Sequence, residues 1–108
     1  MSYKIEISGR FEKEIKRLIK KFPSLKNEYA SLIELLKEQP FQGAPIGNDC
    51  YKIRLAVSSK GRGQSGGARV ITNVYVSKNT VYLLSIYDKS EQENISDKDL
   101  EKLLKAIR

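Results

Sequence analysis

The fold is decided by residues 49–89, which read DCYKIRLAV (49–57), SSKGRGQSGG (58–67), ARVITNVYV (68–76), SKN (77–79) and TVYLLSIYDK (80–89). Three of these runs are rich in Val, Ile, Leu, Thr and Tyr, and glycine-bearing or polar segments join them. This pattern predicts three strands connected by hairpins. The first run alternates, so we expect Lys52 and Arg54 on one face and the apolar side chains on the other (Tyr51, Ile53, Leu55 and Val57).

A predicted strand and two amphipathic helices precede this unit. Residues 3–7 alternate as a strand does, Ser8 can cap a helix that begins near Arg10, and Ser24 can cap a second helix after Pro23. Both helices carry apolar residues at the spacing of one helical face (Phe11, Ile15, Leu18, Ile19 and Phe22, then Leu25, Tyr29, Leu32, Ile33 and Leu36). We therefore expect an antiparallel helical hairpin laid on the sheet.

The remaining segments complete an α+β prediction. Residues 39–48 contain two prolines and two glycines, which predicts an irregular connector. Ser96 can cap a last helix that has Asp97 and Asp99 in its first turn. The predicted order is βααβββα, with a small, mainly antiparallel sheet, an N-terminal helical hairpin and a C-terminal helix. With 108 residues, we expect a single domain spanning residues 1–108.

Composition narrows the function classes. The chain has no histidine and one cysteine, which excludes Ser-His and Cys-His catalytic pairs and argues against a structural zinc site. We expect no metal and no cofactor, and we expect Cys50 to be a buried apolar residue rather than a nucleophile. The sequence has no apolar run long enough for a membrane span and no signal peptide, so we expect a cytoplasmic protein.

Positive charge is concentrated in the strand unit. Residues 52–89 carry seven Lys or Arg and one Asp, a net charge of +6, and the whole chain nets +7. An uncovered sheet face with so much like charge repels itself, and a polyanionic partner such as RNA would offset the repulsion.

The glycine-rich connection at 58–67 has two open interpretations. Gly61, Gly63 and Gly66 match G-x-G-x-x-G, but a strand rather than a helix follows, which argues against a dinucleotide site. One interpretation is a flexible hairpin loop. The other is a loop that touches phosphates, with Lys60, Arg62 and Gln64 as RNA-binding residues.

The residues around the strands resemble a known family. The segments DCYKIRL (49–55), GGARVI (66–71) and LSIYDKSE (84–91), together with the element order, resemble the RelE/HigB toxins of bacterial type II toxin–antitoxin systems, in the RelE/ParE superfamily. The resemblance implies a ribonuclease that enters the ribosomal decoding site and cuts messenger RNA. It also implies a cognate antitoxin that blocks the site. Lys52, Arg54, Arg69 and Lys89 match basic positions of the family. Some relatives have a tyrosine near the positions that Asn94 and Ile95 occupy in this sequence. The nearest tyrosine in this chain is Tyr87.

These residues suggest a way to cut RNA without a metal. The 2′-OH attacks the adjacent phosphorus, so an enzyme must accept its proton, neutralise the phosphorane and protonate the leaving 5′-oxygen. We assign Lys52 as general base, and Arg54 and Arg69 as clamps on the transition state. Lys89 or Tyr87 serves as general acid or base-stacking group. Arg69 is expected to be an exposed side chain at the start of a strand.

The sequence leaves two other functions open. One is inhibition of DNA gyrase without nuclease chemistry, as in ParE-like members of the superfamily. The other is a non-catalytic basic module that binds nucleic acid.

Overall fold

The computed structural model describes residues 2–63 and 66–107. These residues form three α-helices and five strands, in the order β1 (Lys4–Ile7), α1 (Gly9–Lys21), α2 (Leu25–Glu38), β2 (Ala44–Gly47), β3 (Cys50–Leu55), β4 (Ala68–Tyr75), β5 (Thr80–Asp88) and α3 (Asp97–Ile107). Short 3₁₀ segments follow β3 (Ser58–Gly63) and β4 (Val76–Lys78). The predicted helical hairpin, three-strand unit, C-terminal helix and α+β class are confirmed.

The described strands form one sheet in the order β1-β5-β4-β3-β2. Strand β1 runs parallel to β5, and the other neighbouring pairs are antiparallel. The sheet is therefore mainly antiparallel, as predicted. Its two edge strands have four residues each, which leaves little unpaired backbone for edge-to-edge association.

Strand β2 was not predicted, because the prolines and glycines of residues 39–48 indicated an irregular connector. Asn48 and Asp49 have φ angles of 56° and 60° and form a two-residue turn that pairs β2 with β3. Pro45 is tolerated because β2 lies at the sheet edge and pairs on one side. Just before β2, Gly43 has a φ of 90° and lies against the carbonyl of Lys52, where a side chain would collide with the backbone.

Two of the three predicted helix caps are confirmed. Ser8 Oγ accepts from the backbone N–H of Phe11 at 3.0 Å, and Ser96 Oγ accepts from that of Asp99 at 3.1 Å. Ser24 occupies the N-cap position of α2 as predicted, but its side chain makes no capping bond to the helix. The Ser24 hydroxyl instead contacts Glu28 at 3.0 Å and Ser59 at 2.8 Å, which ties α2 to the segment after β3.

The sheet buries apolar side chains on both faces. Helices α1 and α2 cover one face, the hairpin face, where residues such as Phe11 and Leu36 pack on Ile53, Val70 and Ile86. Helix α3 lies on the opposite face, the α3 face, where Leu100 and Leu103 pack with residues of β3, β4 and β5 (Cys50, Ile71, Leu84 and Tyr87). Cys50 is 1% exposed, which confirms its predicted burial.

A bulge in β5 determines which side chains reach the α3 face. The pairing of β4 with β5 shifts between Ile71 and Thr72, so β5 contains one extra residue there. Glu14 of α1 accepts two hydrogen bonds at this bulge. Its Oε1 accepts one from Ser85 Oγ at 2.8 Å and one from the backbone N–H of Ile86 at 3.2 Å. Arg10 continues the chain of contacts, with Nε 3.3 Å from Glu14 and Nη2 3.0 Å from Asp99 of α3.

Candidate functional site

Three of the predicted site residues lie side by side across the sheet. Arg54 of β3 pairs with Arg69 of β4, and Arg69 pairs with Tyr87 of β5. Directly opposite residues in a sheet share a face, so these three side chains form one row on the α3 face. Lys52 precedes Arg54 by two positions and lies on the same face. The predicted alternation of β3 is confirmed, since Ile53 and Leu55 pack on the hairpin face.

Exposure differs sharply along the row. The side chain of Arg54 is exposed and that of Lys52 is partly exposed. Arg69 is 6% exposed and Tyr87 is 3% exposed. The expectation that Arg69 is an exposed side chain is therefore wrong. Tyr87 belongs to the apolar cluster under α3, so its ring face is covered and not placed to stack on a base.

The guanidinium of Arg69 is fixed by backbone carbonyls. Its Nη1 donates to the carbonyl of Gly66 at 2.6 Å and to that of Ala68 at 3.1 Å. Burial raises the pKa of Tyr87 above its ordinary value, although the charge of Arg69 acts in the opposite direction. The phenol therefore keeps its proton at neutral pH. Among the described residues no hydrogen-bond partner lies within reach of Tyr87 Oη.

Asn94 is a site residue that the sequence did not single out. Lys52 Nζ donates to Asn94 Oδ1 at 2.9 Å, which holds the ammonium beside the segment between β5 and α3. The two residues are 42 positions apart. The only sequence signal was positional, since Asn94 stands near the place where some relatives of the resembling family have a tyrosine. A hollow of about 430 Å³ lies beside Lys52 and Arg54 and is open to solvent.

Lys89 lies just beyond the end of β5. Its side chain is 26% exposed, and its Nζ is 3.5 Å from Glu93 Oε1, an ion pair of i,i+4 spacing. The backbone N–H of Lys89 donates to the carbonyl of Gly67 at 3.1 Å. Lys89 thus directly follows Asp88, which pairs with Ala68 next to the Arg69–Tyr87 pair.

Of the three predicted RNA-binding residues in the glycine-rich connection, only Lys60 has a side chain among the described residues. Lys60 is turned inward, with its side chain 9% exposed and its Nζ 2.6 Å from Asp88 Oδ1. Its charge is committed to that buried carboxylate, so the expected phosphate contact of Lys60 is not available in this structure. Gln64 and the side chain of Arg62 lie outside the described residues.

The basic residues of 52–89 are more dispersed than the sequence suggested. Lys52, Arg54 and Lys89 present charge near the α3 face, whereas Lys78 lies in the turn between β4 and β5, over the ring of Tyr75. The face is also partly covered by α3, contrary to the expectation of an uncovered face. In residues 2–63 and 66–107, no three His, Cys, Asp or Glu side chains converge as metal ligands would. No helix in that part of the chain is long and apolar enough to cross a membrane.

Comparison with known proteins gives one family and consistent structural matches. The model of the family described as "RelE toxin of RelE / RelB toxin-antitoxin system" matches residues 10–107. A mutant of the Escherichia coli toxin RelE in the free state superposes with a TM-score of 0.66 at 21% identity, with 100% of both chains covered.

Two solved complexes give similar matches. The toxin–antitoxin complex RelBE of E. coli matches with a TM-score of 0.55 at 26% identity, over 81% of this chain and 96% of that one. A RelBE complex from Mycobacterium tuberculosis matches with a TM-score of 0.56 at 14% identity, over 82% and 99%.

Proposed function

The chain belongs to the RelE family of toxins from toxin–antitoxin systems, and from this premise we propose that it is a ribosome-dependent endonuclease that cuts messenger RNA. Its place of action is then the cytoplasm, at the decoding site of translating ribosomes. The observation that carries the proposal is the row of Arg54, Arg69 and Tyr87 with Lys52 beside it. A row with two arginines and a nearby lysine suits a phosphodiester whose negative charge grows in the transition state.

In this proposal, Arg54 and Arg69 have different roles because their side chains differ in burial. Arg54 is exposed and contacts the scissile phosphate directly, with the planar fork that suits phosphate oxygens. Arg69 lies beside it on the neighbouring strand but is buried, so its charge acts from a site of low dielectric, where electrostatic interactions are stronger than in water. The carbonyls of Gly66 and Ala68 hold the guanidinium in place, so little reorganisation is needed during the reaction.

The proton transfers fall to the lysines. Lys52 in its neutral form accepts the proton of the 2′-OH while that oxygen bonds to phosphorus, and Asn94 orients its Nζ. The bond from phosphorus to the 5′-oxygen then breaks, and the ammonium of Lys89 gives that oxygen a proton. The products are a 2′,3′-cyclic phosphate and a 5′-hydroxyl. Tyr87, at the β5 end of the row, packs in the apolar cluster under α3 instead of stacking on a base, because its ring is covered.

The proposed dependence on the ribosome rests on the small number of side chains in the site that can contact RNA. The exposed part consists of a few long cationic side chains beside an open hollow. Such groups attract phosphate without fixing one reactive geometry, and correct orientation accounts for a large share of a barrier of this kind. A ribosome that already holds the message in an extended path would supply the orientation.

The control partner in this proposal is an antitoxin. The matched complexes of E. coli and M. tuberculosis are described as toxin–antitoxin complexes, which supports a partner of the same kind here. An acidic segment laid over Lys52 and Arg54 would neutralise the exposed charge and exclude RNA from it. The association would then weaken as salt concentration rises.

Induced expression without the antitoxin, followed by mapping of transcript 5′ ends, tests this function. We expect growth arrest, with new 5′ ends confined to translated regions. Cleavage scattered over untranslated RNA would contradict the dependence on the ribosome. Arrest with intact transcripts and trapped gyrase–DNA complexes would favour the ParE-like activity, and normal growth would favour a simple binding module.

A further inference from the structure

We propose that the buried Lys60–Asp88 ion pair positions the candidate site, because it holds the strand ends from which Arg69 and Lys89 project. Lys60 and Asp88 would be positioning residues that never touch the substrate. The inference takes the role of Arg69 and Lys89 from the proposed function. The placement of these residues by the pair rests on geometry alone.

The pair joins two segments that are distant in sequence. Lys60 lies in the 3₁₀ segment after β3, and Asp88 is the last residue of β5. Lys60 Nζ is 2.6 Å from Asp88 Oδ1, and the two side chains are 9% and 2% exposed. The Nζ also lies 5.5 Å from the centre of the Phe22 ring. The contact is therefore enclosed, and water screens it little.

One backbone carbonyl connects the pair to Lys89. Lys60 Nζ donates to the carbonyl of Gly67 at 3.2 Å, and the backbone N–H of Lys89 donates to the same oxygen at 3.1 Å. Gly67 has a φ of 49°, a conformation that glycine adopts without strain. A shift of Lys60 would thus move the carbonyl that holds the backbone of Lys89.

The neighbouring carbonyls connect the same point to Arg69. Its Nη1 donates to the carbonyls of Gly66 and Ala68, the residues on either side of Gly67. The Gly66 carbonyl belongs to the planar peptide unit that ends at the Cα of Gly67, so a displacement of Gly67 tilts this acceptor. The guanidinium direction therefore depends on where Lys60 holds the chain.

Asp88 also fixes the chain that leaves β5. Its Oδ1 accepts from the backbone N–H of Ser90 at 3.0 Å and from Ser90 Oγ at 2.8 Å. These bonds set the direction in which the segment runs toward Lys89 and Asn94. Lys21 of α1 stands 3.8 Å from the other oxygen, Oδ2. Asp88 thus orients both sides of the site through separate contacts.

Stability alone does not explain this pair. Desolvation of two charges offsets much of their attraction, and well-packed apolar residues often replace a buried ion pair with no loss of stability. Such a replacement would keep the fold and lose the hydrogen bond to Gly67. A structural role and a positioning role therefore predict different results for the same variant.

The deciding variant is Lys60→Met combined with Asp88→Leu in the full chain, purified from its antitoxin. We expect a melting temperature near that of the wild type, because two apolar side chains of similar volume replace the two charged ones. Amide hydrogen exchange at Lys89 should rise tenfold or more. The single-turnover cleavage rate at saturating ribosome concentration should fall by a similar factor. The ribosome concentration that gives half of the maximal rate should not change. Lys60→Arg, which keeps the pair, should cut within a few-fold of the wild-type rate.

The exposed pair Lys37–Glu34 on α2 provides the matched control, as Lys37→Met with Glu34→Leu. It should change neither the Lys89 exchange nor the cleavage rate. If the first double variant does not fold, Asp88→Asn with the same two measurements decides instead. Normal Lys89 exchange together with normal cleavage in a folded variant overturns the inference. If the wild type itself cuts no RNA, the proposed function fails, and the exchange measurement alone judges the positioning.

Discussion

At the scale of single residues, the two arginines of the row differ in burial and so in what they can do. Arg54 is exposed, whereas Arg69 is buried and bonded to backbone carbonyls. An exposed arginine can be removed with little effect on stability, while loss of a buried charged group leaves its acceptors without a partner. Mutation should therefore separate catalysis from folding at Arg54 but not at Arg69.

Arg54→Ala should slow single-turnover cleavage by about 10²–10³-fold, the scale of one oxyanion donor. Its free energy of unfolding should change by less than about 0.5 kcal/mol. Arg69→Ala should slow cleavage and also lower the stability by about 1–3 kcal/mol. Cleavage assays beside urea unfolding measure both quantities, with Lys26→Ala on α2 as the control for loss of one exposed charge. A normal rate for Arg54→Ala would remove it from the site.

Lys52 and Asn94 should behave as one unit, because the amide orients the ammonium. Asn94→Ala should reduce the cleavage rate by less than Lys52→Ala does. The double variant should be no slower than Lys52→Ala alone, since side chains in direct contact are not additive. A double-mutant cycle of single-turnover rates measures the coupling. Strict additivity of the two effects would mean that the 2.9 Å contact has no part in the reaction.

The sequence predicts some of these residue-level features and not others. Alternation in β3 correctly placed Lys52 and Arg54 opposite the apolar residues, because a strand's period of two depends on local geometry alone. The burial of Arg69 depends on how the 66–68 backbone turns back, and that of Tyr87 depends on the docking of α3. The contact of Asn94 with Lys52 joins segments 42 positions apart. No local pattern contains that information.

At the scale of secondary-structure elements, the bulge in β5 decides the composition of the site. A shift of one residue reverses which face each side chain of a strand points to. The extra residue of β5 lies opposite the step from Ile71 to Thr72 in β4. Without it, Tyr87 would no longer lie opposite Arg69. The bulge itself is stabilised by Glu14 of α1, which accepts the hydrogen bonds that the sheet does not.

Glu14→Ala should therefore lower the free energy of unfolding by about 1–3 kcal/mol, because it removes the acceptor of two bonds at the bulge. Glu14→Gln should recover part of this loss, since its amide oxygen can accept both bonds. Urea unfolding measures the difference. Glu12→Ala, on the exposed side of the same helix and 3.7 Å from Lys16, is the control and should change stability by less than about 0.5 kcal/mol. Equal effects at both positions would exclude a special role for Glu14.

Long elements with regular apolar spacing were predicted well, and short or irregular ones were not. The faces of α1 and α2 follow from helical periodicity, and the cap at Ser8 follows from local hydrogen bonding. Strand β2 escaped prediction because four residues that include Pro45 and Gly47 carry no strand pattern. Its pairing comes from the turn at Asn48 and Asp49 and from the neighbouring strand. Such an element exists only through its tertiary contacts.

At the scale of the whole molecule, two acidic side chains hold distant parts of the fold together. Asp88 faces Lys60 and, more distantly, Lys21, while Asp99 faces Arg10 and lies near Lys102. Burial alone would raise the pKa of Asp88, but hydrogen bonds from Lys60 and Ser90 outweigh it, and the pKa lies below its ordinary value. The hydrogen bond from Arg10 lowers the pKa of Asp99.

Stability should therefore fall in acid. A carboxyl whose folded pKa is below its unfolded value of about 3.9 stabilises the fold fully above that pH, and the contribution disappears as pH falls through the folded pKa. Asp88→Asn and Asp99→Asn should each be less stable than the wild type at pH 7, and the difference should shrink below about pH 4. Urea unfolding from pH 7 to pH 2.5 measures it. A difference that is constant over this range would contradict the assignment.

The proposed reaction is cleavage of messenger RNA on the ribosome by attack of the 2′-OH, promoted by Lys52, Arg54, Arg69 and Lys89. Its most direct test is single-turnover cleavage of an end-labelled message on programmed ribosomes, with analysis of the new RNA ends. We predict a 2′,3′-cyclic phosphate upstream and a 5′-hydroxyl downstream, little cleavage without ribosomes, and a rate reduced about 10²–10³-fold by Arg54→Ala. A 5′-phosphate on the downstream fragment, or undiminished cleavage by Arg54→Ala, would contradict the claim.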